Sequence, residues 1–173
     1  MNQREVNIIS LPSEEETKKR IWQMLETVYD PEIPVLSVID LGIVRDVKVD
    51  DEKIEIKITP TYSGCPAMDM ISMNIRLALL KEGFSNVTIS HQLSPAWTTD
   101  WMTESGKQKL KSYGIAPPVG KSFDENYLQN VVVECPLCHS LNTKLISQFG
   151  STSCKAHYQC LDCKEPFDYF KCH

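Results

Sequence analysis

Two C-x-x-C pairs stand near the end of the chain, Cys135-Pro136-Leu137-Cys138 and Cys160-Leu161-Asp162-Cys163, with 21 residues between them. A C-x-x-C turn aims two thiolates at one ion, and two such turns complete a closed tetrahedral site. The separation is one residue beyond the usual upper limit of about 20 for this pattern, an excess that a hairpin tip absorbs. Alternating or β-rich stretches flank the turns at Val131 to Val133, Thr143 to Ile146 and Phe167 to Phe170. The pattern predicts a β-rich zinc ribbon over residues 131–173. Zn2+ is the favoured ion, and iron the second choice for four thiolates. A module this small has too little core to fold without a staple, so these four cysteines are expected to hold a fold rather than perform chemistry. On that reasoning, losing one of them should unfold the tail and leave residues 13–113 folded.

The 173 residues suffice for one domain and a small appendage. Lys and Arg number 18 against 23 Asp and Glu, a net charge of −5. The tail from Cys135 carries four Lys against three acids, or +1, and the remainder 14 bases against 20 acids, or −6. That balance argues against a nucleic-acid-binding ribbon, which needs a basic footprint. The longest apolar stretch, Met68 to Leu80, is broken by Asp69, Asn74 and Arg76, so no membrane span is predicted. No apolar leader core follows Arg4. The expectation is a cytoplasmic protein, consistent with cysteines kept reduced. Pro117, Pro118 and Gly120 mark a connection. The chain is divided into 1–116, a linker 117–130 and the ribbon 131–173.

The first part reads as α+β, a small antiparallel sheet covered by helices. Ser13 and Glu16 form a capping box ahead of Ile21, Trp22, Leu25 and Val28 at helical spacing. Pro31 ends that helix near Tyr29. Val44 to Val49 and the alternation Ile54, Ile56, Ile58 predict a hairpin turning at Asp50-Asp51. Pro66 suits the start of a second helix ending at Gly83, with Ile71, Ile75, Ala78 and Leu79 buried. Val87 to Gln92 predicts a third strand. A third helix, capped by Thr99 or Asp100, should run to Tyr113.

Outside the ribbon quartet, several residues carry chemistry. Cys65 falls between a strand and a helix start, where free N–H groups favour a thiolate. It is either a metal ligand or nucleophile, or a buried inert thiol. Asp30 and Glu32 flank Pro31, as a solvated turn or an acid–base or metal-holding pair. Cys154 and Cys172 lie outside the pairs, with His157 and His173 nearby, as unconnected thiols or as a redox pair or second site. His91 and His139 have weaker claims. No Ser-His-Asp set, phosphate loop, H-E-x-x-H or di-iron Glu-x-x-His set is present, so no self-sufficient enzyme is legible.

Asp30-Pro31-Glu32-Ile33-Pro34-Val35, Asp40-Leu41-Gly42-Ile43-Val44 and Thr59-x-Thr61-x-x-x-Cys65-Pro66 resemble the SufT-like iron–sulfur assembly domain family over roughly residues 13–95. Trp97-Thr98-Thr99-Asp100-Trp101-Met102, Tyr113-Gly114-Ile115-Ala116-Pro117-Pro118, the cysteine tail, Phe149-Gly150-Ser151-Thr152 and Phe167-Asp168-x-Phe170-Lys171-Cys172-His173 extend the likeness. With them the whole chain resembles a family of phenylacetate-degradation proteins commonly called subunits of the ring 1,2-phenylacetyl-CoA epoxidase. The resemblance implies an accessory or maturation factor for that multicomponent monooxygenase, non-catalytic by itself, that helps insert iron or an iron–sulfur cluster into a partner. The alternative it leaves open is a stoichiometric non-catalytic subunit. Implied partners are the epoxidase components, especially the reductase that carries flavin and an iron–sulfur centre, with neither nucleic acid nor membrane. The resemblance also implies a transiently held iron or cluster at Cys65, with Asp30 and Glu32 alongside, and is compatible with a homodimer.

Overall fold

The computed structural model describes residues 13–51, 53–119 and 127–171. Helix α1 spans Glu14–Leu25. Ser13 Oγ accepts from the Glu16 N–H, and the Glu16 carboxylate accepts from the Ser13 N–H, so the capping box forms as expected. Ile21 and Leu25 are the buried residues of this helix. Strands β1 (Val44–Asp50) and β2 (Lys53–Ile58) make the expected antiparallel hairpin, with Val47 opposite Ile56. Asp51 turns it with φ +50°. The alternation in β2 puts Ile54, Ile56 and Ile58 into the core.

Helix α2 (Ala67–Lys81) starts directly after Pro66 and buries Ala67, Met68, Ile71, Ile75 and Leu79. Strand β3 (Val87–His91) then pairs with β2, and here the expectation of a wholly antiparallel sheet is corrected. β3 runs parallel to β2, with Ile56 opposite Ile89. The reason is the connection: a helix between two adjacent strands returns the chain to the end from which it started. The first sheet is therefore mixed, in the order β1-β2-β3. The α+β class and the helical cover stand.

A single 3₁₀ turn at Thr99–Trp101 precedes helix α3 (Glu104–Tyr113). Thr103, rather than Thr99 or Asp100, caps α3 by accepting from the Gly106 N–H at 2.9 Å. That choice follows from Asp40, whose Oδ1 accepts from the Thr103 hydroxyl at 3.1 Å. Asp40 Oδ2 takes the Ser37 N–H at 3.0 Å, the Ser37 hydroxyl at 2.9 Å and the Lys109 ammonium at 2.6 Å. Gly42 sits at φ +65°, and a Cβ there would lie 2.0 Å from the Trp101 carbonyl oxygen. The Asp40-Leu41-Gly42 motif is thus a docking point for the turn and helix that follow β3. The Trp97 indole N–H adds a bond to the Leu41 carbonyl at 2.8 Å.

The second sheet has the order β4-β7-β6-β5. β5 (Thr143–Ser147), β6 (Lys155–Cys160) and β7 (Pro166–Phe170) form an antiparallel ribbon. β4 (Ile115–Ala116), directly after α3, joins it in parallel, Ile115 opposite Asp168 and Ala116 opposite Tyr169. Val131 to Val133 is not in a strand, although Val133 is buried and its carbonyl accepts from Thr143 Oγ1 at 2.6 Å.

Ala116, Val133, Tyr158, Phe167 and Tyr169 form the ribbon's own core. Phe170 and Cys154 belong instead to the core of the first lobe, where Phe170 meets Trp97 edge-on at 6.1 Å between ring centroids. The expectation of an independently melting tail is at odds with this shared packing, because β7 carries residues of both cores.

Candidate functional site

The four ribbon cysteines converge. Their sulfur atoms lie within 4.8 Å of one another. Cys135 and Cys163 approach to 3.8 Å, and Cys138 and Cys160 to 3.5 Å. Four Zn–S bonds of about 2.3 Å give a tetrahedron with edges of about 3.8 Å, so the donor set fits zinc. Each C-x-x-C turn is followed by a residue in the left-handed region, His139 at φ +63° and Lys164 at φ +68°. That turn folds the backbone around the sulfurs, with the His139 N–H bonded to the Cys135 carbonyl at 3.0 Å. The Leu161 N–H bonded to the Asn142 carbonyl at 2.7 Å, and Asn142 Nδ2 bonded to Asp162 at 2.8 Å, lock one turn to the other. His139 points elsewhere: its Nδ1 lies 2.7 Å from Glu134.

A second group assembles where the lobes meet. Asp30 and Glu32 occupy the loop after α1, and Asp30 Oδ1 accepts the N–H groups of Glu32 and Ile33 at 2.8 and 2.7 Å. Tyr62 and Cys65 lie in the loop between β2 and α2. That loop walls a cavity of about 140 Å³ with Thr59, Leu93 and Trp97. The ribbon contributes Ser153, Cys154 and Lys155. Cys154 is buried, its sulfur 3.1 Å from Thr152 Oγ1 and 3.7 Å from Glu32 Oε2. Tyr62 is hydrogen-bonded to Ser153 and to Cys65.

Electrostatics unites these residues. Burial pushes the Cys65 thiol up, and the charges of Glu32 and Asp30 add to it, against the Ala67 N–H and the Tyr62 hydroxyl. The expected lowering by the helix N-terminus is therefore overturned: one N–H does not outweigh burial beside two carboxylates. Burial likewise raises Cys154 to about 11, with Glu32 and Asp30 in the same direction and Thr152 and Lys155 against. Asp30 itself is raised, first by burial. Lys171, almost fully buried, donates its N–H to the Cys154 carbonyl at 3.0 Å. Its ammonium is pushed down by burial and held up by Cys154.

Cys65, Asp30 and Glu32 are thus neighbours. Cys154 joins them from 122 residues away in sequence along the Glu32 contact. His157 does not join; its Nδ1 faces Asp168 at 3.3 Å. His91 lies 3.5 Å from Ser72 Oγ. Cys172 and His173 lie outside the described residues, and with them the pairing of Cys154 and Cys172. The residues that the sequence did not flag are Tyr62, Lys155 and Lys171. Their only sequence signal is nearness to Cys65, Cys154 and the terminal aromatic strand. No helix among the described residues is long and apolar enough to cross a membrane.

Residues 18–90 match the family model described as iron–sulfur cluster assembly protein, and residues 121–171 that of the PaaD zinc beta ribbon domain. A protein of Escherichia coli (strain K12), provisionally named as one of the subunits of 1,2-phenylacetyl-CoA epoxidase, is 52% identical over 152 residues, 88% of this chain and 91% of that protein. The chain belongs to the PaaD family. An Fe-S protein maturation auxiliary factor of Porphyromonas gingivalis is 38% identical over 97 residues, 55% of this PaaD-family chain and 91% of the relative. A crystal structure of a DUF59 domain from Bacillus anthracis superposes with a TM-score of 0.53 at 26% identity, covering 56% of this chain and 93% of that one. These shorter relatives cover little more than half of the chain, whereas the Escherichia coli PaaD relative spans most of it.

Proposed function

We propose that this PaaD-family protein is a maturation factor that receives iron or an iron–sulfur unit at Cys65, Asp30 and Glu32. It would pass that cargo to a component of a phenylacetyl-CoA epoxidase, with the iron–sulfur flavin reductase as the foremost recipient. The observation that carries this reading is a half-buried thiol, Cys65, within electrostatic reach of two acidic side chains, Asp30 and Glu32, that share another loop. It occurs within the stretch that matches an iron–sulfur cluster assembly model. Carboxylate and thiolate together suit iron, and a site with few ligands lets it go again. The ribbon, with Zn2+ at Cys135, Cys138, Cys160 and Cys163, serves as scaffold: a site with four protein ligands has no position open for substrate.

The test is reconstitution. Cys65→Ser should retain fold and ribbon zinc while the co-expressed reductase loses its iron–sulfur centre, read by its visible absorption and iron content. A fully loaded reductase beside Cys65→Ser would overturn the proposal. If a fully matured epoxidase turns over only when this protein is added in stoichiometric amount, it is a subunit and not a maturation factor.

A further inference from the structure

Four large apolar side chains stand exposed in one line on α2. Met70, Met73, Leu77 and Leu80 are 54%, 58%, 48% and 56% exposed, while Met68, Ile71, Ile75 and Leu79 turn into the core. Their spacing of three, four and three residues is that of a coiled-coil seam, so they share one face of the helix. We propose that this face is a docking seat for an amphipathic helix of a partner protein, with apolar anchors at the same spacing and acidic residues beside them. The proposal goes beyond the maturation reading and does not rest on it, since a stoichiometric subunit needs such a seat equally.

The shape is that of a helix-binding groove. Beside the stripe lies a cavity of about 670 Å³, walled by Met24, Val28 and Tyr29 on one side and by Leu77 and Ala78 of α2 on the other. Arg20 and Glu82, 3.9 Å apart, also line it. Leu77 belongs both to the stripe and to the cavity wall, so a side chain seated on the stripe has a recess next to it. Methionine adapts its shape to what it meets, which suits Met70 and Met73 to a face that closes around foreign side chains. A single exposed apolar residue is ordinary, but a continuous line of four beside a groove marks an interaction site.

The charges beside the stripe name its occupant. Arg76 flanks it on one side and Lys81 on the other. Neither forms an ion pair among the described residues. The two nearby acids are already engaged: Glu82 faces Arg20, and Asp69 lies in the first turn of α2, where free N–H groups favour a carboxylate. Two unpaired cations thus border an apolar seat on a chain whose net charge is −5, and acidic residues on a partner helix complement them. A second copy of this chain fits poorly. A two-fold axis through the stripe pairs Met70 with Leu80 and Met73 with Leu77, but it also sets Arg76 against the same residue of the other copy. A bilayer fits poorly as well, because a concave groove offers it no flat apolar face.

The experiment uses the full zinc-loaded chain and two fluorescent peptides about as long as α2. Both carry leucines at i, i+3, i+7 and i+10, one with glutamates beside them and the other with lysines. Fluorescence anisotropy at low salt should give the acidic peptide at least about tenfold the affinity of the basic one, a gap that shrinks as salt is added. Leu77→Gln, a change at an exposed position, should weaken the acidic peptide at least about tenfold. Arg76→Glu combined with Lys81→Glu should reverse the order of the two peptides, and it is the decisive variant if Leu77→Gln loses helix content or zinc. Equal affinity for both peptides, an order unchanged by the double substitution, or no binding of the acidic peptide up to about 1 mM overturns the proposal. A parent dimer in sedimentation that Leu77→Gln dissociates overturns it in favour of a second copy. Binding to phosphatidylserine vesicles that Leu77→Gln abolishes overturns it in favour of a membrane. Removal of residues 1–12 that tightens the acidic peptide about tenfold overturns it in favour of the chain's own first residues.

Discussion

Replacing Asp40 by alanine removes the acceptor for the Ser37 N–H, the Ser37 hydroxyl, the Thr103 hydroxyl and the Lys109 ammonium in one step. Ser37 is 3% exposed, so water cannot replace the lost partner. A buried donor left unpaired costs about 1–3 kcal/mol, and the Ser37 N–H cannot turn elsewhere. The cap hydroxyl of Thr103 keeps its bond from Gly106 and loses only its orientation. The Lys109 pair adds little, roughly 0.5 kcal/mol, because the lysine side chain is 43% exposed and solvent screens it. The sum is about 1.5–3.5 kcal/mol, a large share of the roughly 5–15 kcal/mol that holds a typical native state. For a chain of this size that lowers the melting temperature by roughly 3–14 °C. Thermal and urea unfolding, followed by tryptophan fluorescence from Trp22, Trp97 and Trp101, measures it. Asp40→Ala within about 0.5 kcal/mol of the parent would refute the reasoning, since surface changes fall in that range.

The same carboxylate gives the effect a pH signature. Burial works to raise Asp40, but hydrogen bonds from Lys109 and Ser37 outweigh it and hold the group below its ordinary value of 3.8. A depressed carboxyl contributes stability that is complete above the unfolded value and is lost as pH falls through the folded one. The stability gap between parent and Asp40→Asn should thus stay constant at neutral pH and narrow only below 3.8.

Gly42→Ala should be strongly destabilising, by more than the 1–2 kcal/mol of left-handed strain alone, because the new methyl meets the Trp101 carbonyl at 2.0 Å; circular dichroism melts would check this. Phe170→Ala should cost about 3–5 kcal/mol and shift Trp97 fluorescence, although Phe170 lies in the ribbon sheet; an unchanged spectrum would contradict the shared core. Stripping the ribbon metal with a chelator should loosen β7 and expose Trp97 to quenching by acrylamide, and adding Zn2+ back should reverse it.

Much of this was legible in the chain. The capping box, the Ile54-Ile56-Ile58 alternation and the two C-x-x-C pairs each act through near neighbours, so the pattern and its physical cause lie within a few residues. The parallel entry of β3 and the cap at Thr103 were not, because a crossover and a carboxylate 63 residues away decide them. Cys65 was visible as a thiol before a helix, but its raised pKa comes from burial and from Asp30 and Glu32 on another loop. Cys154 drew notice only by exclusion from the pairs. Its partner Glu32 is set by how the ribbon docks, which no local spacing encodes.

The pairing of Ile115 and Ala116 with Asp168 and Tyr169 also has a bearing on synthesis. A ribosome adds about 5–20 residues per second, and amino-terminal domains usually fold as they emerge. Here the first lobe can form its β1-β2-β3 sheet early, but Trp97 waits for Phe170 and β4 waits for β7. Until residues 166–170 have left the exit tunnel, β4 offers an unpaired edge and the indole lacks the ring that covers it. Zinc capture by Cys160 and Cys163 comes only a few residues earlier. Metal uptake, closure of the second sheet and completion of the first core are thereby compressed into one late event. A nascent chain halted before Cys160 would present all three defects at once to the cell's quality control.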